Sequence, residues 1–150
     1  MEPTLEFAFE ARVEVGSDYR IGRSASEVLG FTLITGGTVT GPKLNGKVLP
    51  GGGDWWVNRD GNYQLDARYL LQADDGAVID ITNRGYFRAS DEVLARLDAK
   101  ERVPENEYYY RTAPVFQTDA PAHKWLAENQ FIGLARDEDG MVCIRFFLVK

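Results

Sequence analysis

Tyr63-Gln64-Leu65-Asp66-Ala67-Arg68-Tyr69-Leu70-Leu71-Gln72-Ala73, then Asp74-Asp75-Gly76, then Ala77-Val78-Ile79-Asp80-Ile81-Thr82-Asn83-Arg84 is the stretch that decides the fold. Two β-prone runs flank a three-residue loop whose glycine suits the left-handed position of a hairpin closure. Pairing Ala73 with Ala77 fixes a register. Leu70 then faces Asp80, Arg68 faces Thr82 and Asp66 faces Arg84, all on one face of the sheet. Tyr63, Leu65, Ala67, Tyr69 and Leu71 fall on the opposite, apolar face.

The same pattern extends in both directions. From about Thr4 to Val15, Leu5, Phe7, Phe9, Ala11, Val13 and Val15 alternate with mostly polar residues, which predicts a strand with one dry face. Ser17 to Ser26 reads as a polar loop. Phe31 to Val39 reads as a strand, with a bulge or bend at Gly36-Gly37 of the kind that turns barrel corners. Short strands are expected at Lys43–Leu49 and Asp54–Asn58, and a longer one at Glu107–Thr118. Gln130–Arg136 and Met141–Lys150 make a terminal hairpin. Ser90–Lys100 is the one clear helix, with Ser90 as cap and Asp91 and Glu92 in its first turn. Pro121–Glu128 is a helical turn or a short helix. Eight to ten sequential strands with corner glycines predict an all-β domain, a closed or nearly closed antiparallel barrel. With no repeat or linker in view, residues 1–150 form a single β-barrel domain.

Composition narrows the partners. The formal net charge of −6 gives no basic patch for phosphates or anionic lipid, so neither nucleic acid nor membrane is expected. Cys143 is the sole cysteine, which excludes an intrachain disulfide. Met1-Glu2-Pro3 lacks the basic start of a signal peptide, and a cytoplasmic location is the expectation. A small-molecule ligand is the expected partner, and assembly into a homo-oligomer is left open. No His, Cys and acid spacing suggests a metal, and no phosphate-binding glycine loop precedes a helix, so neither a metal nor a cofactor is expected.

A longer block carries a resemblance. It runs Gly41-Pro42-Lys43-Leu44-Asn45-Gly46, then Gly51-Gly52-Gly53-Asp54-Trp55, then Asp60-Gly61, Leu65-Asp66-Ala67-Arg68-Tyr69, Asp75-Gly76 and Gly85. Phe116-Gln117-Thr118 and Trp125-Leu126 extend it. This pattern resembles the family known as domain of unknown function 3237, over nearly the whole chain. The resemblance implies a lipocalin-like β-barrel and leaves activity open. Ala127 departs from the Asn expected after the Trp-Leu pair, and Trp56 adds bulk beside Asp54-Trp55.

The candidate catalytic residues are Asp54, Asp66, Arg68 and Arg84. Asp54 follows three glycines and precedes two tryptophans. Desolvation among indoles would raise its pKa towards acid–base values, whereas a turn acid capping amides is the structural alternative. Asp66, Arg68, Asp80 and Arg84 share one face, where they either polarise a substrate oxygen or form solvated ion pairs. The candidate binding residues are Trp55, Trp56, Tyr69, Asp80, Tyr108, Tyr110, Phe116 and Arg145. Tyr108, Tyr110 and Phe116 share a strand face that suits an aromatic ligand or ordinary packing, and Arg145 is either an anion anchor or an outward ion pair. His123 is expected at the surface, and Cys143 as a buried thiol.

Three functions compete. One is a cofactor-independent isomerase, cyclase or lyase using carboxylate acid–base chemistry on an apolar, oxygenated, aromatic or polyketide-like substrate. Another is a non-catalytic binding or carrier barrel, and a third is an interaction module that uses the barrel exterior. Opposed polar groups in a pocket favour the first, a wholly apolar cavity the second, and a filled core with an exposed patch the third.

Overall fold

A computed structural model describes residues 1–150. It contains nine strands: β1 (Leu5–Ser24), β2 (Glu27–Thr40), β3 (Gly46–Val48), β4 (Gly53–Arg59), β5 (Asn62–Ala73), β6 (Val78–Arg88), β7 (Tyr109–Gln117), β8 (Phe131–Glu138) and β9 (Met141–Val149). Two helices interrupt them, α1 (Asp91–Asp98) and α2 (Lys124–Ala127), the latter continuing a 3-10 turn at Pro121–His123. All strand pairs are antiparallel, and β1 bonds to both β2 and β9. The sheet therefore closes on itself as a barrel and leaves no free edge.

The central hairpin has the register expected of its turn. Leu70 pairs with Asp80, Arg68 with Thr82 and Asp66 with Arg84. Gly76 adopts a φ of +90° in the turn, and the Ala73 amide donates to the Ala77 carbonyl. The helix also matches, with the Val93 amide donating to the Ser90 hydroxyl at its N-cap. No helix is long and apolar enough to cross a membrane.

Two expectations along β1 need correction. The segment after Val15 is not a loop, because β1 runs on to Ser24 and forms a long hairpin with β2. The alternation also breaks near its start. Phe7 pairs with Phe147 and Phe9 with Phe146, so Ala8 is an extra residue in a bulge. Ala8 and Phe9 are both buried, while Leu5 and Phe7 are turned outward.

The glycine pair in β2 makes the predicted corner. Gly36 and Gly37 hold φ values of +151° and +143°. Before them β2 pairs with β4 through Leu33, and after them it pairs with β3 from Gly37. One strand thus serves two neighbours, which a residue with a Cβ would resist at those angles.

The barrel is packed at one end and hollow towards the other. Phe9, Phe116, Phe131 and Phe146 stack edge-on or tilted at 5.0–5.9 Å between ring centres. Leu126 of α2 closes this end, and His123 Nε2 lies 2.8 Å from the Asp75 carboxylate in the β5–β6 turn. His123 is therefore largely covered and paired rather than free at the surface. At the other end Val93 of α1 packs with Val103 and Tyr108.

Trp56 depends on the residue facing it across the sheet. It pairs with Gly30, where an added Cβ would meet the indole ring at 2.0 Å. Replacing Gly30 by Ala should push the indole away from β2 and cost about 1–3 kcal/mol of stability. Thermal unfolding of the variant measures this, and an unchanged midpoint would show that the indole does not rely on that gap.

Candidate functional site

A cavity of about 510 Å³ occupies the hollow end. Its walls combine apolar side chains, chiefly of β1, β2, β5 and β9, with seven polar or charged ones. Asp54, Trp56, Tyr69 and Tyr110, four of the residues singled out from the sequence, all line it. Thr112, which alternation places on the strand face of Tyr110, also lines it, as do Asn83, Thr32, Asp137, Asp18 and Lys100, whose roles no pattern in the sequence marks.

The strand registers explain how the polar groups meet. Ala67, on the inner face of β5, pairs with Asp54 on one side and Asn83 on the other. Its small side chain leaves space between the two. Tyr69 lies one pleat further along β5 towards the packed end. Thr112 of β7 pairs with Gly85, diagonal to Asn83. Thr32 of β2 pairs with Asp54 from the other flank. Its hydroxyl accepts from the Trp56 indole N–H at 3.1 Å and donates to the Asp18 carboxylate.

Asp54 is half-buried, and its Oδ1 accepts the Asp66 backbone N–H at 2.9 Å. Burial raises its pKa to about 6, against the smaller lowering effect of that hydrogen bond. Tyr69 and Tyr110 are held above the usual phenol range by burial, partly offset at Tyr69 by the Asn83 side chain and reinforced by the Asp54 charge and, at Tyr110, first by Asp137. Asp137 is raised by burial and partly offset by Lys100. The cavity thus presents a carboxyl group that can be acid or carboxylate near neutral pH, beside phenols that stay protonated.

Other expected site residues lie elsewhere. Asp66, Arg68, Asp80 and Arg84 are on the outer face, because they alternate with the inward residues of β5 and β6. Arg68 bonds to Asp80 at 3.3 Å and Arg84 to Asp66 at 3.0 Å, and the two arginine side chains are 68% and 71% exposed. They are solvated cross-strand pairs. Trp55 points outward against Phe31 with ring centres 4.7 Å apart, as its alternation with Trp56 requires. Phe116 belongs to the packed end. Tyr108 is buried beneath α1, where its hydroxyl accepts the Asp137 amide at 3.0 Å. Arg145 pairs with Glu105 outside the cavity. Cys143 is a buried thiol whose pKa burial pushes up.

A closed antiparallel barrel with a cavity lined by apolar and inward polar groups belongs to the class of β-barrel proteins. Residues 3–149 match the family described as protein of unknown function, DUF3237, and the chain belongs to that family. A UPF0311 protein of Clostridium acetobutylicum is 38% identical over 148 residues, 98% of this chain and 90% of that protein. The crystal structure of a conserved protein of unknown function from Rhodopseudomonas palustris superposes with a TM-score of 0.89 at 33% identity, covering all of both chains. A Penicillium herquei protein named hydroalkoxylation enzyme phnH is 36% identical over 80 residues, 53% of this chain and 54% of that protein.

Two measurements check this description. Removing the Arg68 guanidinium with Arg68→Ala should change stability by no more than about 1 kcal/mol, as for other exposed pairs. A larger loss in chemical denaturation would mean the pair is more than a surface contact. Asp54 should act in the opposite sense. Its folded pKa of about 6 lies above the ordinary aspartate value of 3.8, so folding favours the protonated form. Stability from this group is present at low pH and is lost as pH rises through about 6. Asp54→Asn, which keeps an acceptor for the Asp66 amide, should therefore be more stable than wild type at pH 8 by roughly 1–3 kcal/mol. The gap should close near pH 4, and thermal melts across that range decide it.

Proposed function

We propose that this protein is a cofactor-independent enzyme that moves a proton on an apolar, oxygenated small molecule through the carboxyl group of Asp54. The observation that carries the reading is a half-buried Asp54 facing the cavity, with one oxygen held by a backbone amide and its pKa raised to about 6 by burial. Such a group is populated as both acid and base near neutrality, the condition for efficient general acid–base catalysis. Tyr69 and Tyr110 supply neutral hydroxyls beside it, and Trp56 and Phe87 offer flat apolar surface to a ring.

An isomerase, cyclase or lyase reaction fits this equipment. In a hydroalkoxylation an O–H adds across a C=C bond, so a C–O bond and a C–H bond form while the O–H bond and the π bond break. The proton passes from oxygen to carbon, and no electrons leave the substrate. Protonated Asp54 would deliver a proton to carbon, and its carboxylate would recover one from the attacking hydroxyl. The partial likeness to the Penicillium herquei hydroalkoxylation enzyme supports this direction.

The test is Asp54→Asn, with folding checked by circular dichroism, assayed on phenolic alkenes able to cyclise through their own hydroxyl. Turnover should fall roughly a hundredfold or more, with a smaller change in affinity. The wild-type rate should break near pH 6, and the variant should lack that break. Near-normal turnover in the variant would rule Asp54 out as the proton-transfer group.

A further inference from the structure

Tyr69 Oη, Asn83 Oδ1 and Thr112 Oγ1 are buried side-chain atoms with no well-formed hydrogen bond in the protein, although the Asn83 side chain lies close enough to Tyr69 to oppose the rise of its pKa. All three residues line the cavity, and each is more than nine-tenths buried, with 3%, 3% and 7% of its surface exposed. They come from three consecutive strands, and the register places them on a diagonal across the inner wall. Buried polar atoms left unpaired by the fold are costly, and three on one wall of one cavity call for a common partner.

From this geometry we infer that the Tyr69, Asn83 and Thr112 wall is a subsite for an un-ionised hydroxyl group, so the ligand is a phenol or alcohol and not a carboxylate. This deepens the proposed function, and it rests only on the part of that reading in which the cavity takes a small molecule. The Tyr and Thr hydroxyls can donate or accept, whereas Asn83 Oδ1 only accepts. A ligand hydroxyl satisfies the set, donating to Asn83 and accepting from Tyr69 or Thr112. A bare ether or carbonyl oxygen can accept from Tyr69 and Thr112 but offers no donor of its own to Asn83 Oδ1. An anion has no counter-charge here, because Lys100 is the single basic residue on the lining and lies beside Asp137. Asp18, Asp54 and Asp137 also line the cavity and repel a negative ligand.

Four probes of the same ring system separate the alternatives: 2-naphthol, 2-methylnaphthalene, 2-naphthoate and 2-naphthylmethylammonium, titrated by NMR into the full-length protein. In wild type 2-naphthol should bind roughly fivefold tighter than the methyl analogue, the scale of one or two net hydrogen bonds. The carboxylate should be the weakest of the four. Thr112→Val and Tyr69→Phe each remove one hydroxyl with little change of shape. They should reduce the naphthol advantage and leave 2-methylnaphthalene binding unchanged. Both should also melt at or above the wild-type temperature, because they delete an unpaired buried group.

Equal binding of naphthol and the methyl analogue would overturn the subsite. So would tighter binding of the carboxylate or the ammonium probe, binding of none of the four, or a lowered melting temperature in both variants. Turnover does not enter these titrations. Loss of the catalytic role of Asp54 would therefore leave the subsite standing, and loss of the subsite would leave the Asp54 pH break to be judged separately.

Discussion

Closure of the sheet is the constraint on which the rest of the molecule depends. β1 gives hydrogen bonds to β2 on one side and to β9 on the other, so every strand has at least two neighbours and the inward side chains share one bounded interior. Within that interior the alternation of each strand is no longer a local matter. A bulge at Ala8 and the turn of β2 at Gly36-Gly37 set which residues point in, and hence which end fills with phenylalanine and which end stays hollow. Leu126 of α2 closes the packed end, while α1 rests through Val93 on Val103 and Tyr108.

The cavity is the part of the interior where packing gives way to chemistry. A half-buried carboxyl group and three unpaired polar atoms all work against stability, since each would be better solvated or better paired in the unfolded chain. The apolar end, with Phe9, Ile79, Ile81 and Phe146 fully covered, offsets that cost. The same division separates the two sets of charges. Those on the outer face of β5 and β6 neutralise one another in water, and their pairing carries no requirement for a ligand. Asp54 has no cation beside it, and its environment changes its proton affinity.

Much of the candidate site could be read before folding, but unevenly. Asp54 stood out because glycines precede it and indoles follow it, and the inward set Tyr63, Leu65, Ala67, Tyr69 and Leu71 followed from period-two alternation. The cluster of Asp66, Arg68, Asp80 and Arg84 drew attention because opposite charges recur at paired positions, yet that same alternation, applied to a wall with water outside, sends them outward. Trp55 and Trp56 look alike in sequence and part company by one residue of register. Thr112 shares the alternating face of Tyr110 and Asn83 falls opposite Ala67 in the hairpin, but nothing in the sequence marks either as a site residue, since a lone amide and a lone hydroxyl in β-strands are ordinary.

The sequence by itself determined the strands, the hairpin at Gly76, the capped helix and the family, because turn chemistry, alternation and motif spacing act over a few residues. The hairpin register already sets Asn83 opposite Ala67; only the tertiary structure decided that Asp54 would flank Ala67 on the other side and that Thr112 would lie diagonal to Asn83 on the next strand. Those neighbours are set by the register between strands and by the closure of the ring. Beyond a tight hairpin such as that at Gly76, register depends on bulges and turns far from the residues it brings together, so no local pattern in the chain records it.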